Sequence, residues 1–318
     1  MTIVIAGASG FMGQRLTASF TADGRRVRTI GRAGDATWDD EASILREVDG
    51  ADLLINLAGK SVDCRYGPAN RAEIIRSRVE TTAALARAVS RAAAPPPVWL
   101  NSSTATIYRH ADDRAMTESD GELGEGFSVG VARAWEDAFF TPELPGTRRV
   151  ALRTAITLGN GSALVPLLRL ARLGFGGAQH DGRWPATRAR LAAGTYHRFG
   201  TPRGHQRFSW VHLDDVVGIV EFLQEHDEIS GVVNVSSPHP VDGVELMRTV
   251  RRSLGVPAGI PLPRVALEAG AFAIRTETEL VLKSRWVLPE RLLDAGYRFR
   301  YPELRPALDA ILAERRAS

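Results

Sequence analysis

Short apolar runs alternate with longer helical patterns over residues 1–155, and this alternation constrains the fold of the 318-residue chain more than any other feature. Residues 3–5, 27–30, 53–57, 98–100 and 150–152 read as strands. Residues 11–22, 40–49, 70–93 and 127–140 read as the helices between them. A helix between two strands returns the chain to the same end of the sheet, so such strands pair in parallel, and right-handed crossovers place helices on both faces. The expected fold class is α/β, a doubly wound parallel sheet over residues 1–155. Small residues and prolines at 92–97 stop the third helix before its next strand. Beyond residue 155 the rhythm loosens around Pro166, Pro257, Pro261 and Pro263. A smaller lobe is expected over 156–318. Within it, residues 178–207 hold six arginines, three histidines and one aspartate without a hydrophobic period, which reads as an inserted, mobile surface loop at about 178–205.

The turn after the first strand is Gly7-Ala8-Ser9-Gly10-Phe11-Met12-Gly13, and it opens the first helix. Glycines there let the backbone approach a diphosphate, while the free amides and the positive end of the helix stabilise its charge. Three glycines alone would fit any tight turn; a strand before and a helix after point to dinucleotide binding. The second strand ends at Ile30-Gly31-Arg32, where a site for NAD(H) places an acid against the adenosine ribose. Arginine there favours a 2′-phosphate, hence NADP(H) over NAD(H); in an arginine-rich chain an ordinary surface residue is the alternative. Leu57, Ala58 and Gly59 close the third strand with a small-residue end suited to lie beneath a cofactor.

Composition argues against several other classes. A formal charge of +3 is spread along the chain and interleaved with acids, and Trp184, Tyr196 and Phe199 are too irregular for a base-stacking platform, so no nucleic-acid partner is expected. Cys64 is the single cysteine, which excludes an intrachain disulfide and fits a reducing compartment. The seven histidines include no ligand-spaced pair, so no metal is expected. The N-terminus starts as a buried strand, and no apolar run reaches the roughly 18 residues of a membrane span. A cytoplasmic location is the expectation.

Several further segments carry a resemblance: Ile55-Asn56-Leu57-Ala58-Gly59, residues 75–81, Ser102-Ser103-Thr104-Ala105-Thr106-Ile107-Tyr108, Trp135-Glu136, residues 152–159, Trp210-Val211-His212-Leu213-Asp214, Asn234 with Pro238 and Pro240, and residues 289–297. Together with the glycine loop, these segments resemble, almost end to end, the atypical epimerase-like branch of the extended short-chain dehydrogenase/reductase superfamily, with its C-terminal domain of unknown function. The resemblance implies a Rossmann domain over 1–155 to which 208–230 returns, and a substrate-side lobe for an unidentified small molecule. It implies cofactor contacts from Gly7, Ser9, Gly10, Phe11, Met12, Gly13, Arg32, Leu57, Ala58, Gly59, Ser102 and Ser103. A homodimer formed through Rossmann-domain helices is the assembly that superfamily relatives suggest.

The resemblance also exposes what is missing. The superfamily carries a Tyr-x-x-x-Lys pair on the helix after the fourth strand; the lysine lowers the tyrosine pKa and holds the nicotinamide ribose. None of the five tyrosines here has a lysine four residues later. Alignment on Glu136 puts Ser128 at the tyrosine position and Ala132 at the lysine position. Phe127, Val131, Ala134, Trp135 and Ala138 would still give that helix a buried stripe. Thr104 matches the strand-borne Ser/Thr and is the candidate catalytic residue, polarising a carbonyl, unless it is present for strand propensity alone. Tyr108, His110 and His212 are replacement proton donors to be weighed against packing, loop and lobe-interface roles, and His205 could reach substrate from the insertion boundary. Either an atypical NADP(H)-dependent oxidoreductase or a non-catalytic NADP(H)-binding sensor fits this sequence.

Overall fold

The computed structural model describes residues 1–161 and 163–317. The first half of the chain runs β1 (Thr2–Ala6), α1 (Phe11–Ala22), β2 (Arg26–Gly31), β3 (Ala36–Thr37), α2 (Glu41–Val48), β4 (Leu53–Asn56), α3 (Pro68–Arg91), β5 (Val98–Thr104), α4 (Phe127–Phe140) and β6 (Arg148–Thr154). There follow β7 (Ile156–Leu158), α5 (Leu164–Arg172), α6 (Arg188–Ala192), β8 (Arg207–Phe208), β9 (Trp210–His212), α7 (Leu213–Glu225), β10 (Gly231–Val235), β11 (Val241–Asp242) and α8 (Gly243–Ser253). The chain ends with α9 (Arg264–Ala273), α10 (Glu279–Leu282), α11 (Glu290–Asp294) and α12 (Leu304–Ala317).

Seven strands form a parallel sheet in the order β10-β6-β5-β4-β1-β2-β3. Its inner strands are apolar on both sides because both faces are covered. On one face Ile3, Ile5, Leu53, Ile55 and Leu100 pack with Leu16 and Phe20 of α1 and Val216 and Val220 of α7. On the other, Val4, Leu54 and Trp99 pack with Ile44 of α2, Leu85 of α3 and Phe139 of α4. Of the stripe expected on α4, Val131 and Trp135 are buried, and Val129, Ala132, Glu136 and Phe139 join them. The strand order reverses beside β1, which pairs with β2 on one side and β4 on the other, so a crevice opens at their carboxyl ends.

The sheet takes one strand from beyond the expected return segment: β10 pairs with β6, Gly231 opposite Val150. The second lobe has its own core, in which Leu168 of α5, Met247 of α8 and Leu308 of α12 surround Trp210. Asp215 ties this lobe to the first, its carboxylate accepting from the amides of Arg300 (2.6 Å) and Tyr301 (3.0 Å).

The insertion lies largely at the surface, but it is tied to the rest of the fold at several points. Asp181 and Arg264 form an ion pair at 2.6 Å with side chains only 3% and 2% exposed. The Asp181 carboxylate also accepts from the amides of Phe199 and Gly200. Gly194 O accepts the first amide of α4, Phe127 N, at 2.9 Å. Asp181 thus meets an arginine far along the chain, and Arg190 meets Glu268 and Glu277 at 3.6 and 3.9 Å. No helix among the described residues is long and apolar enough to cross a membrane.

His212 caps α7, its Nδ1 accepting from Asp214 N at 3.0 Å, so the ring proton sits on Nε2. That atom is buried without a partner among the described residues. Burial pushes the His212 pKa down to about 4; Asp214 opposes the shift, and Arg300 and Arg15 add to it. An unfolded histidine protonates near its ordinary value of about 6.5, so between these values the unfolded state holds the extra proton. The stabilisation from keeping His212 neutral is present above pH ~6.5 and lost as pH falls toward ~4. Urea midpoints at neutral pH and near pH 5 check this. His212→Asn keeps a capping acceptor and should flatten the difference; an unchanged difference would assign it to other groups.

Candidate functional site

Backbone proximity accounts for the glycines at the crevice. Gly7 has φ +83°, and a Cβ there would lie 2.9 Å from Ala58 N. A Cβ on Gly13 would meet Gly7 O at 2.5 Å and Ala8 Cα at 2.7 Å, so α1 approaches β1 as closely as it does only with glycine. Gly10 N donates to Gly7 O at 3.0 Å, closing the turn. The α1 N-terminus has neither a side-chain cap nor an acid in its first turn, and the amides of Phe11, Met12 and Gly13 have no acceptor among the described residues. Three free donors on a positive helix end suit an anion. The Phe11 ring packs on Gly159, where a Cβ would be 2.8 Å from Cζ, and Met12 Sδ accepts from Thr157 Oγ1 at 3.7 Å. The loop's amides thus serve the crevice while its side chains join the lobes.

On the β2 side, a shallow groove is lined by Ser9, Gln14, Thr17, Thr29 and Ala33. Arg32, exposed and without an acidic partner among the described residues, precedes Ala33. The nearest acid in sequence, Asp35, turns back: Thr29 N and Oγ1 donate to its Oδ2 at 2.7 and 2.9 Å, and these bonds hold its carboxyl below the usual range. The Asp35 Oδ2 is thereby committed to Thr29.

At the end of β4, Leu57 N donates to Ala6 O, and Ala58 N donates to Asn56 Oδ1 at 3.0 Å. Asn56 Nδ2 in turn donates to Asn101 Oδ1 at 2.7 Å and Thr82 Oγ1 at 3.1 Å, fixing the ends of β4 and β5 together. Gly59 lies just beyond, against the Arg78 side chain.

The end of β5 separates residues that adjoin in sequence. Alternation places Ser102 and Thr104 on one face and Ser103 on the other. Ser103 Oγ donates to Glu136 Oε1 at 2.6 Å and so turns toward α4. Thr104 Oγ1 accepts from Thr106 N at 3.1 Å, capping a 3₁₀ turn over Ala105–Ile107 and leaving its proton available. Tyr108 is not brought to the site. Its buried hydroxyl donates to Asn234 Oδ1 (2.9 Å) and accepts from Arg153 Nη1 (3.0 Å), and burial raises its pKa, which suits packing rather than proton donation. His110 takes its proton on Nε2, since Nδ1 accepts from Ser284 N at 2.9 Å; Nε2 meets Asp112, and the ring stacks on Phe199 at 4.8 Å. His205 pairs with Asp242 at 2.9 Å.

Ser128, which the resemblance aligns with the tyrosine, finds its partner at the far end of the chain. Ser128 Oγ donates to Glu279 Oε2 at 2.7 Å, and His197 Nε2 lies 3.3 Å from the same oxygen. Burial opposes the Glu279 charge, but His197, Lys283 and Arg285 hold its pKa down to about 2. Lys283 Nζ donates to Thr106 O at 2.7 Å, on the turn that Thr104 caps. Burial and the neighbouring Arg285 push the Lys283 pKa down to about 8, against the pull of Glu279. Sequence reasoning missed both Glu279 and Lys283. One signal was present: Lys283 is one of only two lysines in a chain whose basic residues are otherwise arginine.

Residues 3–125 match the NAD dependent epimerase/dehydratase family, and residues 262–311 match a domain of unknown function, DUF1731. The chain is 32% identical to the human epimerase family protein SDR39U1 over 98% of this chain and 100% of that protein. It is 30% identical to the epimerase family protein YfhF of Bacillus subtilis over 99% of each. The crystal structure of human SDR39U1 isoform 2 with NADPH superposes with a TM-score of 0.82 at 29% identity, covering 98% of this chain and 99% of that one. The chain therefore belongs to the epimerase family, within the extended short-chain dehydrogenase/reductase superfamily, that joins an NAD-dependent epimerase/dehydratase domain to a C-terminal DUF1731 domain.

Proposed function

We propose that this protein is an NADP(H)-dependent oxidoreductase acting on a small carbonyl or hydroxyl compound. The observation that carries the reading is the crevice itself: three amides on the α1 N-terminus without an acceptor among the described residues, beside glycines where a Cβ would collide with backbone. The amides of Phe11, Met12 and Gly13 would hold the diphosphate, and Arg32 the 2′-phosphate, with Asp35 withdrawn onto Thr29. The NADPH in the human relative's structure supports the same choice. The bound cofactor supplies or accepts hydride. Thr104 orients the substrate oxygen through its free hydroxyl proton. Lys283, which follows α10, donates to Thr106 O on the turn that Thr104 caps and has a pKa of about 8, is the nearby group able to give or take a proton near neutral pH.

A second reading, an NADP(H)-responsive binding protein without turnover, is favoured by one observation. On α4, Ala132 is fully buried, and the Ser128 hydroxyl is spent on Glu279, so that helix offers no acid to a substrate.

Calorimetric titration tests the cofactor assignment: NADPH should bind more tightly than NADH. Arg32→Ala should weaken NADPH about 10- to 100-fold while leaving NADH nearly unchanged, the usual effect of removing a charge-assisted hydrogen bond. Equal losses would show that Arg32 does not read the 2′-phosphate. Transfer of deuterium from 4-deuterated NADPH to any member of a carbonyl panel would support the oxidoreductase; tight binding without transfer would support the sensor.

A further inference from the structure

Arg78 of α3 carries a charge that the fold does not answer. Its guanidinium reaches the end of β4, where Cζ would lie 3.1 Å from a Cβ on Gly59. Nη1 donates to Lys60 O at 3.0 Å and Ile74 O at 2.9 Å, and the group stands 4.9 Å over the Trp135 ring of α4. Nε and Nη2 have no acceptor among the described residues, and no carboxylate there lies within ion-pair distance. Burial alone pulls this cation's pKa down to about 10, with Tyr66 and Cys64 pulling weakly the other way. A largely buried charge without an anion is costly unless a ligand completes it.

Its position indicates which ligand. Gly59 follows Ala58, whose amide abuts Gly7, so Arg78 stands at the mouth of the cofactor crevice. Trp135 lies one turn beyond Ala132 on the same face of α4, and Ala132 is the position at which the superfamily carries its lysine. The guanidinium thus enters, from α3, a region that a lysine at 132 would enter from α4. We infer that Arg78 binds the nicotinamide half of NADP(H), donating from Nε and Nη2 to its ribose and diphosphate oxygens in place of the missing lysine. Arginine suits the task because its planar fork can serve two oxygens at once. The inference rests on the cofactor reading above, and the test separates the two.

Arg78→Met keeps much of the apolar stem and removes the donors. The variant and the parent protein are titrated with NADPH and with 2′,5′-ADP, which carries the adenosine and the 2′-phosphate but no nicotinamide half. NADPH should weaken about 10- to 100-fold, while 2′,5′-ADP stays within about twofold. Arg78→Lys should recover part of the NADPH loss, and it carries the same comparison should the methionine variant fail to fold. Unchanged NADPH affinity, or equal losses for both ligands, would overturn the inference, the second outcome showing that Arg78 only supports the loop. A parent protein that binds neither ligand would instead remove the cofactor reading and this inference with it.

Discussion

Glu136→Leu should cost about 3–5 kcal/mol of stability, the usual consequence of removing one partner of a buried ion pair. Glu136 receives Arg153 in two bonds, Nε to Oε1 at 2.9 Å and Nη2 to Oε2 at 2.7 Å, and also accepts from Ser103 Oγ. Burial works against the Arg153 charge, but Glu136 more than reverses it. Without the carboxylate, a guanidinium about one tenth exposed is left among β5, β6 and α4 with Tyr108 as its one remaining side-chain partner among the described residues. Tyr108 in turn holds Asn234 of β10, so the loss spreads to the sheet edge. Urea unfolding followed by tryptophan fluorescence measures the effect, and Glu136→Gln, which keeps some acceptor capacity, should fall between. A loss below about 1 kcal/mol for the leucine variant would mean that water reaches Arg153 and the pair is effectively a surface one.

Gly13→Val should abolish measurable NADPH binding, a loss of more than about 100-fold, because the added atoms drive α1 away from β1. The atoms that a Cβ would meet, Gly7 O at 2.5 Å and Ala8 Cα and C at 2.7 and 2.8 Å, all belong to backbone and cannot swing aside. Gly10→Ala is the contrast. Its Cβ would find only Gly7 O, at 3.3 Å, and a few tenths of an ångström of give would accommodate it. Titration of both variants beside their melting temperatures separates a lost cradle from a lost fold. Equal behaviour of the two variants would show that close packing of α1 on β1 is not what the third glycine provides.

These residues also show which parts of the molecule could be read from the chain. The glycine loop was legible because every atom that explains it lies within a few residues of it or at the end of a neighbouring apolar strand. The period-two rule separates Ser103 from Ser102 and Thr104, yet nothing local says which face of β5 meets α4. Ser128 could be aligned with the tyrosine position from sequence alone, but its partner Glu279 lies 151 residues away, and no pattern connects them. The anchoring of the insertion was hidden for the same reason. Arg190 reads as a surface charge until Glu268 and Glu277 come within 3.6 and 3.9 Å of it. Long-range charge matching leaves no periodicity in sequence, whereas burial of apolar faces does.

The pairing of β10 with β6 bears on how the molecule is made. A ribosome delivers β6 long before β10, and in between emerge the insertion, β9 and α7. Throughout that interval the nascent sheet ends at β6 with its hydrogen-bonding edge bare, the kind of edge that recruits strands from other chains. The nucleotide-binding half is therefore not a separable module. A gene cut or fusion between residues 155 and 230 would yield an open-edged, aggregation-prone fragment, and shuffling this Rossmann unit onto another partner would require carrying β10 along with it.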